Sequence, residues 1–235
     1  TELTDTSTAA FGVRPKITGI SSPGLNNVWN VGDATKVISW SANSATKPDG
    51  ITLPKVKFQY LVVGGTWADV LDLAGVPVSV DCANGTNNYT WVRGVADERS
   101  DDVKIRVYFM DYAGTSEGLD SPSLKIYPVI TVSNPLGTDQ LVVGTNYPNL
   151  IHWSRTGTKS TAFEVRYSTD GTTFPVGNIL ATAQTVTNGT TGVTWNIPAA
   201  TTLTSTAKIR VIDEAITNVF GDSAAFKLKG GLTLT

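Results

Sequence analysis

The 235-residue sequence has only one cysteine and one histidine, and each scarcity excludes a kind of chemistry. Cys82 alone cannot form an internal disulfide, so no disulfide framework supports the fold. A serine or cysteine nucleophile that uses histidine as its base would depend on His152, which we expect at the surface because its neighbours Ile151 and Trp153 face the core. One His and one Cys cannot fill the four positions of an ordinary zinc site. The sequence therefore predicts that this chain is not an enzyme.

An excess of positive charge and a long apolar run are also missing. The 18 Lys and Arg residues against 20 Asp and Glu residues give a net charge of −2, and nucleic acid or an anionic membrane would require a basic field. No stretch approaches the ~20 apolar residues of a membrane span, and the first residues, TELTDTSTAAFG, lack the features of a signal peptide. We expect no nucleic-acid partner, no membrane span in this segment, and any export signal outside it.

The sequence does contain one pattern written twice. VWNVGDATKVISWSA (28–42) aligns with LVVGTNYPNLIHWSR (141–155), and VKFQYLVVGGTW (56–67) aligns with FEVRYSTDGTTF (163–174). VKIRV (103–107) is then repeated as AKIRV (207–211). Self-similarity at this period predicts two copies of one domain.

The joining segment DSPSLKIYPVIT (120–131) is repeated near both ends of the chain. DSAAFKLKGGLT (222–233) aligns with it without a gap, and so does STAAFGVRPKIT (7–18). We therefore expect one domain over residues 16–128 and a second over 129–229. Residues 1–15 are predicted to close a preceding repeat, and residues 230–235 to open a following one, so the chain is expected to be a segment of a longer array.

Each copy alternates apolar and polar residues with the period of a β-strand. Val103, Ile105 and Val107 share one face, whereas Lys104 and Arg106 point the other way. About seven such strands per copy favour a β-sandwich of two antiparallel sheets, with a barrel as the less favoured alternative. The matched aromatic residues are assigned to the core of each sandwich: Trp40, Trp91, Trp153, Trp195, Tyr60 and Tyr167.

The same residues carry a family resemblance. The tryptophan of ISWS and IHWS, the tyrosine of FQY and VRY, and the IRV strand resemble fibronectin type III and immunoglobulin-like sandwiches. The order I-T-x-x-x-P, V-G turn, W-S strand, DGTTF hairpin, T-W-x-x-P and I-R-V is similar to the Ser-Thr-rich, glycosylphosphatidylinositol-anchored domain family of fungal walls and its bacterial relatives. The resemblance implies an all-β chain with two tandem immunoglobulin-like (fibronectin type III-like) β-sandwiches, acting as a structural or adhesive surface module without catalytic residues.

Acidic residues near the end of each copy are the candidates for a ligand site. Asp111 and Asp213 end one strand, and Asp120 and Asp222 precede the next. These carboxylates could bind calcium, or they could cap turns through hydrogen bonds to the backbone. A further acidic group, without counterpart in the second copy, precedes the sixth strand: Asp97, Glu98, Asp101 and Asp102. We expect no cofactor, with calcium as the alternative.

Two functions remain open at this point. The first is a non-catalytic spacer or scaffold of an extracellular or cell-surface tandem-repeat protein, whose partners are neighbouring repeats or copies of itself. The alternative is an adhesive or carbohydrate-binding module, which could be appended to a secreted enzyme and could contact surface glycans or proteins. Six tryptophans invite the carbohydrate interpretation, but four form matched core pairs, Trp67 matches Phe174, and Trp29 matches Leu141.

Overall fold

A computed structural model of the protein describes residues 14–43, 52–110, 118–186 and 192–231. The chain divides into two compact units. The first takes the described parts of Thr1–Trp29, Asp33–Gly94 and Asp101–Lys125. The second takes those of Asn30–Gly32, Val95–Ser100 and Ile126–Thr235.

The terminal strands predicted for residues 1–15 and 230–235 lie largely outside the described residues, which begin at 14 and end at 231. The domain boundaries expected at 16–128 and 129–229 stay predictions.

The first copy of the repeat forms two sheets. Its described strands are β1 (Lys16–Ser22), β2 (Val28–Asn30), β3 (Val37–Asn43), β4 (Lys55–Val62), β5 (Ala68–Asp69), β6 (Ser79–Asp81), β7 (Gly85–Thr90), β8 (Ser100–Phe109), β9 (Leu119–Asp120) and β10 (Leu124–Tyr127). One sheet has the order β1-β3-β7. The other has the order β2-β10-β8-β4-β5, with β6 beside β4 and β9 beside β8.

The second copy repeats this arrangement. Its described strands are β11 (Ile130–Asn134), β12 (Gln140–Val142), β13 (Asn146–Arg155), β14 (Phe163–Ser168), β15 (Ile179–Gln184), β16 (Val193–Asn196), β17 (Thr204–Asp213), β18 (Phe220–Asp222) and β19 (Phe226–Lys229). A single 3-10 turn, Val176–Asn178, precedes β15. The sheets are β11-β13-β16 and β12-β19-β17-β14-β15, with β18 beside β17.

The two sheets of the second copy share one hydrophobic core, which makes the pair a sandwich. Trp153 and Trp195 project from the small sheet, and Phe163, Ile209 and Phe226 meet them from the large one. In β17 the side chains of Ala207, Ile209 and Val211 are completely buried, whereas Lys208 and Arg210 are partly exposed, as the alternation predicts. The predicted class, an all-β chain with two immunoglobulin-like sandwiches, is confirmed.

One detail of the expected sheets is wrong. The sequence predicted antiparallel sheets, but β12 runs parallel to β19, with Leu141 opposite Leu228. The reason is that the first two strands of this copy join different sheets. β11 pairs with β13 in the small sheet, and the chain then crosses to the large sheet, where β12 pairs with β19. Hydrophobic alternation carries no information about which edge a short strand joins.

The repeated Val-Gly pair makes the same turn in both copies. Gly32 has a φ of 85° and Gly144 a φ of 81°, a left-handed conformation that favours glycine. The Gly144 amide donates a hydrogen bond to the Ile197 carbonyl at 2.8 Å, which ties this turn to the end of β16. The conformation therefore explains why glycine recurs at this position.

The DGTT turn after β14 is organised by one carboxylate. Asp170 accepts hydrogen bonds from the backbone amides of Thr172 at 2.8 Å and Thr173 at 2.7 Å, from the Thr173 hydroxyl, and from the Ser168 hydroxyl at 2.8 Å. The Thr173 hydroxyl is the largest cause, and together these donors hold the pKa of Asp170 well below its ordinary value of 3.8. Donors that favour the ionised form stabilise the fold only while the carboxyl is charged.

We therefore expect acid to weaken the fold partly through Asp170. Because its folded pKa is depressed, its contribution is fully present above the unfolded value near 3.8 and is lost as pH falls toward the folded value. The free energy of unfolding from urea titrations at pH 7 and pH 3 should fall less in Asp170→Asn than in the wild type. Thr173→Val, which removes the largest donor, should be intermediate. Equal pH dependence in all three proteins would contradict this account.

Candidate functional site

An arginine on the outer face of the large sheet is the centre of a surface cluster in the second unit. Arg210 of β17 lies opposite Asp222 of β18 in the strand register. Its Nε donates to Asp222 Oδ1 at 2.7 Å and its Nη2 to Oδ2 at 2.8 Å. The guanidinium carbon lies 3.9 Å from the ring centroid of Phe174 and 3.8 Å from that of Phe220. Planar pairing and stacking of this kind suit arginine and not lysine.

The first unit repeats the cluster at the matched positions. Arg106 lies opposite Asp120, donating from Nε at 2.6 Å and from Nη2 at 3.0 Å. Its guanidinium carbon is 4.0 Å from the Trp67 ring centroid, and the hydrogen bonds to Asp120 raise the pKa of Arg106 above its ordinary value. We call the arginine, its aspartate and the stacked aromatic residue the arginine clamp.

The serine that follows each clamp aspartate closes the same strand pair. The Ile105 amide donates to Ser121 Oγ at 3.0 Å, and the Ile209 amide donates to Ser223 Oγ at the same distance. Each serine hydroxyl in turn donates to the next backbone carbonyl at 2.8 Å. The repeated Asp-Ser pair therefore has a structural role in both copies. It joins the end of β9 to β8 in the first copy and the end of β18 to β17 in the second.

The four carboxylates considered for calcium have different surroundings. Asp120 and Asp222 are engaged through both oxygens by clamp arginines. Asp213 is completely buried within the second unit and accepts hydrogen bonds from Arg99 Nη1 at 3.2 and 3.3 Å, from the Ser160 hydroxyl, and from the Ala215 amide at 2.9 Å. Asp111 lies outside the described residues.

These contacts bear on both interpretations of the acidic residues. Asp213 acts as a turn cap through the Ala215 amide. In the acidic group that precedes the sixth strand, Asp97 caps the Thr158 amide at 2.8 Å. Among the described residues, no group of three or more His, Cys, Asp or Glu side chains is arranged to hold a metal ion. A calcium ion at Asp120 or Asp222 would have to displace a guanidinium, and the expectation of no cofactor, with calcium as the alternative, stays a prediction.

The residues assigned to the core differ in their burial. Trp40, Trp91, Trp153 and Trp195 are at most 2% exposed. Tyr60 and Tyr167 are only partly buried, and each packs on a tryptophan of its own sandwich: Tyr60 on Trp91 at 5.8 Å and Tyr167 on Trp195 at 5.1 Å between ring centroids. Trp29 is buried as well, whereas Trp67 is partly exposed because it forms the outer layer of a clamp.

In the described part of the chain, the surroundings of the lone cysteine and the lone histidine are those of structural residues. Cys82 is fully buried, and its Sγ accepts a hydrogen bond from the Trp40 indole nitrogen at 3.2 Å. Burial raises the pKa of this thiol, and the Trp40 hydrogen bond offsets only part of that rise. His152 is partly exposed on β13, between the buried side chains of Ile151 and Trp153. Neither residue is arranged as a nucleophile or a base.

A cleft of about 470 Å³ lies beside the clamp of the second unit. Its walls are the outward side chains of β14 and β17, the turn that follows β17, and two phenylalanines. The lining residues are Glu164, Arg166, Phe174, Arg210, Ile212, Glu214, Thr217 and Phe220. The repeat alignment pairs Phe174 with Trp67, and it pairs the two IRV strands with each other. It did not identify the arginines of these strands as the residues that contact both the repeated aromatic position and the repeated acidic position.

Comparisons with solved structures find immunoglobulin-like and fibronectin type III-like tandems. The fibronectin(III)-like modules of Clostridium thermocellum CbhA share 15% identity with a TM-score of 0.26, covering 90% of this chain and 93% of that one. The four N-terminal Ig domains of Dscam1 isoform 8.4 share 15% identity with a TM-score of 0.36, and this chain spans 48% of their length. A chimeric titin Z1Z2 tandem shares 13% identity with a TM-score of 0.28, covering 93% of this chain.

No family model and no curated protein matches the chain. The fold class therefore rests on the strand order and core of each sandwich. Immunoglobulin-like and fibronectin type III-like domains are typically non-catalytic modules. Within the described ranges, no helix has the length and apolar character needed to cross a membrane.

The clamp predicts a measurable coupling between Arg210 and Asp222. Arg210→Met and Asp222→Asn should each destabilise the protein, and the double variant should lose less than the sum, with a coupling free energy of about 1 kcal/mol for a partly exposed, bidentate pair. Chemical denaturation of the four proteins measures this term. Lys227→Met, at an exposed position on β19, serves as the control. Additive losses would mean that the pair contributes nothing to stability.

Proposed function

We propose that the chain is a non-catalytic spacer or scaffold built of two tandem immunoglobulin-like modules. The observation that carries the proposal is the parallel pairing of β12 with β19. Because the two strands run side by side in the same direction, the chain enters the second sandwich at one end and leaves from the other. A module whose two ends lie at opposite poles extends a tandem array instead of folding it back.

The hydrogen bonds of the first unit support the same geometry. The Asn26 amide donates to the Ser123 carbonyl at 2.9 Å, and the Lys125 amide donates to the Asn27 carbonyl at 2.7 Å. Residue numbers thus increase together along both segments, as they do in a parallel pair. The entering and leaving segments of the first unit therefore have the same relation as those of the second.

Extracellular or cell-surface location is part of the proposal, as is membership of the Ser-Thr-rich domain family. The order of motifs from the I-T-x-x-x-P segment to the I-R-V strand supports the family, and tandem modules of this fold class are common outside cells. Neighbouring repeats or further copies of the chain are the partners proposed for the array.

A spacer under tension should resist force through the β12 and β19 pair. Pulling on the ends loads the hydrogen bonds from Lys227 to Asp139 at 3.0 Å and from Val143 to Lys229 at 2.9 Å in shear, so that they must break together. Single-molecule stretching of the full chain should show two unfolding events, each releasing about 30 nm for roughly 100 residues.

A proline variant tests whether the pair of β12 and β19 is the part of the sandwich that resists the pulling force. Val143→Pro removes one donor of the pair and should lower the unfolding force of one event only, while Val176→Ala, at an exposed site before β15 on the opposite edge of the sheet, should change neither event. Unfolding of both units at forces unaffected by Val143→Pro would contradict the spacer mechanism. Substrate turnover abolished by a single substitution would contradict the non-catalytic assignment.

A further inference from the structure

Phe220 is the residue of the second unit that the repeated fold does not explain. It is 45% exposed, at the start of β18. The aligned position of the first copy is Gly118, and among the described residues the first clamp stacks its arginine on Trp67. In the second clamp Phe220 adds another ring to an arginine that already stacks on Phe174. Because this partly exposed ring also lines a cleft, it is a candidate for contact with a ligand.

Most of the charges that line the neighbouring cleft are already paired. Glu164 pairs with Arg166, and Arg210 pairs with Asp222, so among the lining residues only Glu214 carries a charge outside these two ion pairs. An anionic ligand would meet the Glu214 carboxylate, and a strongly charged ligand of either sign would compete with the two ion pairs. The lining therefore favours a neutral ligand.

The same residues still offer both donors and acceptors of hydrogen bonds. Arg210 uses Nε and Nη2 on Asp222, which leaves Nη1 for a ligand. Glu214 accepts the Ala183 amide at 2.6 Å through Oε1, which leaves Oε2. Thr217 adds an exposed hydroxyl to the lining. Adjacent hydroxyl groups, which donate and accept at once, match such a set.

The first unit lacks this combination at the matched strand positions. Lys57 stands in place of Glu164, Gln59 in place of Arg166, and Met110 in place of Glu214. The clamp itself is present in both units, so the additional features of the second unit are not needed to build the sandwich. This set of side chains is therefore specific to the second copy.

We propose that this cleft binds a neutral saccharide, with a sugar ring packed on Phe220 and its hydroxyl groups bonded to Glu214, Arg210 and Thr217. A sugar ring presents an apolar C–H face and a rim of hydroxyls, and these are the two kinds of surface that the cleft combines. The volume of about 470 Å³ lies within the usual range for small-molecule sites. The proposal goes beyond the spacer role, and its failure leaves the force measurement unaffected.

The test uses the full chain labelled with 15N and titrated with neutral oligosaccharides. The probes are hexasaccharides of β-1,4-glucan, β-1,4-mannan, α-1,4-glucan and N-acetylated chitin. We expect one or more of them to shift the resonances of Arg166, Arg210, Glu214 and Phe220, while those of Arg106 and Trp67 in the first unit stay in place. Because the ligand is neutral, raising the salt concentration tenfold should change the affinity by less than about twofold.

Phe220→Gly installs the residue found at the matched position of the first unit. It should weaken binding by about tenfold or more, leave the bidentate pair of Arg210 and Asp222 in place, and lower the melting temperature modestly because the ring stacked on Arg210 is lost. Leu203→Ala, at an exposed apolar position of the same unit, is the control and should bind as the wild type does. Absence of binding by all four neutral probes would overturn the proposal. So would unchanged binding by Phe220→Gly, or binding of a heparin fragment or oligolysine alone.

Discussion

Each sandwich depends on one constraint, which is that both sheets must bury their apolar faces against each other. In the second copy this places Trp153 of the small sheet against Phe163 of the large one, with ring centroids 6.0 Å apart, and Trp195 against Phe226 at the same separation. Once those faces are joined, the edges of the sheets must still be completed. The chain meets that need by giving β11 to one sheet and β12 to the other, and this division produces the parallel pair with β19.

The polar clusters are built around that core. β17 turns Ile209 and Val211 inward, so Arg210 between them must face outward. On that outer face it lies opposite Asp222 and stacks on Phe174. The clamp thus follows from strand alternation and register together, and its recurrence at Arg106 indicates that both copies use it to hold β9 and β18 on the central strand. Asp120 and Asp222, which were considered as calcium ligands, are the carboxylates through which the clamp holds these strands.

The sequence allowed the sandwich class to be predicted because repetition and alternation identify Trp40, Trp153 and the IRV strands without knowledge of any contact. The parallel pair could not be predicted, since Gln140–Val142 is too short for alternation to indicate which sheet it joins. Arg106 and Arg210 were passed over because the partner of an outward side chain depends on strand register. Phe220 has no aromatic counterpart in the first copy, so the repeat alignment did not identify it. Its exposure depends on the folded structure. The buried surroundings of Asp213 likewise depend on segments distant in the sequence.

The central claim is that the chain enters and leaves the second sandwich at opposite ends. It can be tested directly by double electron-electron resonance between nitroxide labels at Val129→Cys and Lys229→Cys in a Cys82→Ala background. Val129 precedes β11, and Lys229 lies opposite Val142 at the end of β12. The 10 residues of β17, which begins at Thr204 opposite Leu228 and ends at Asp213, span the sandwich at about 3.3 Å each, so the predicted distance is about 30 Å. A distribution centred below about 15 Å would mean that both ends emerge at the same pole, and it would contradict the spacer geometry.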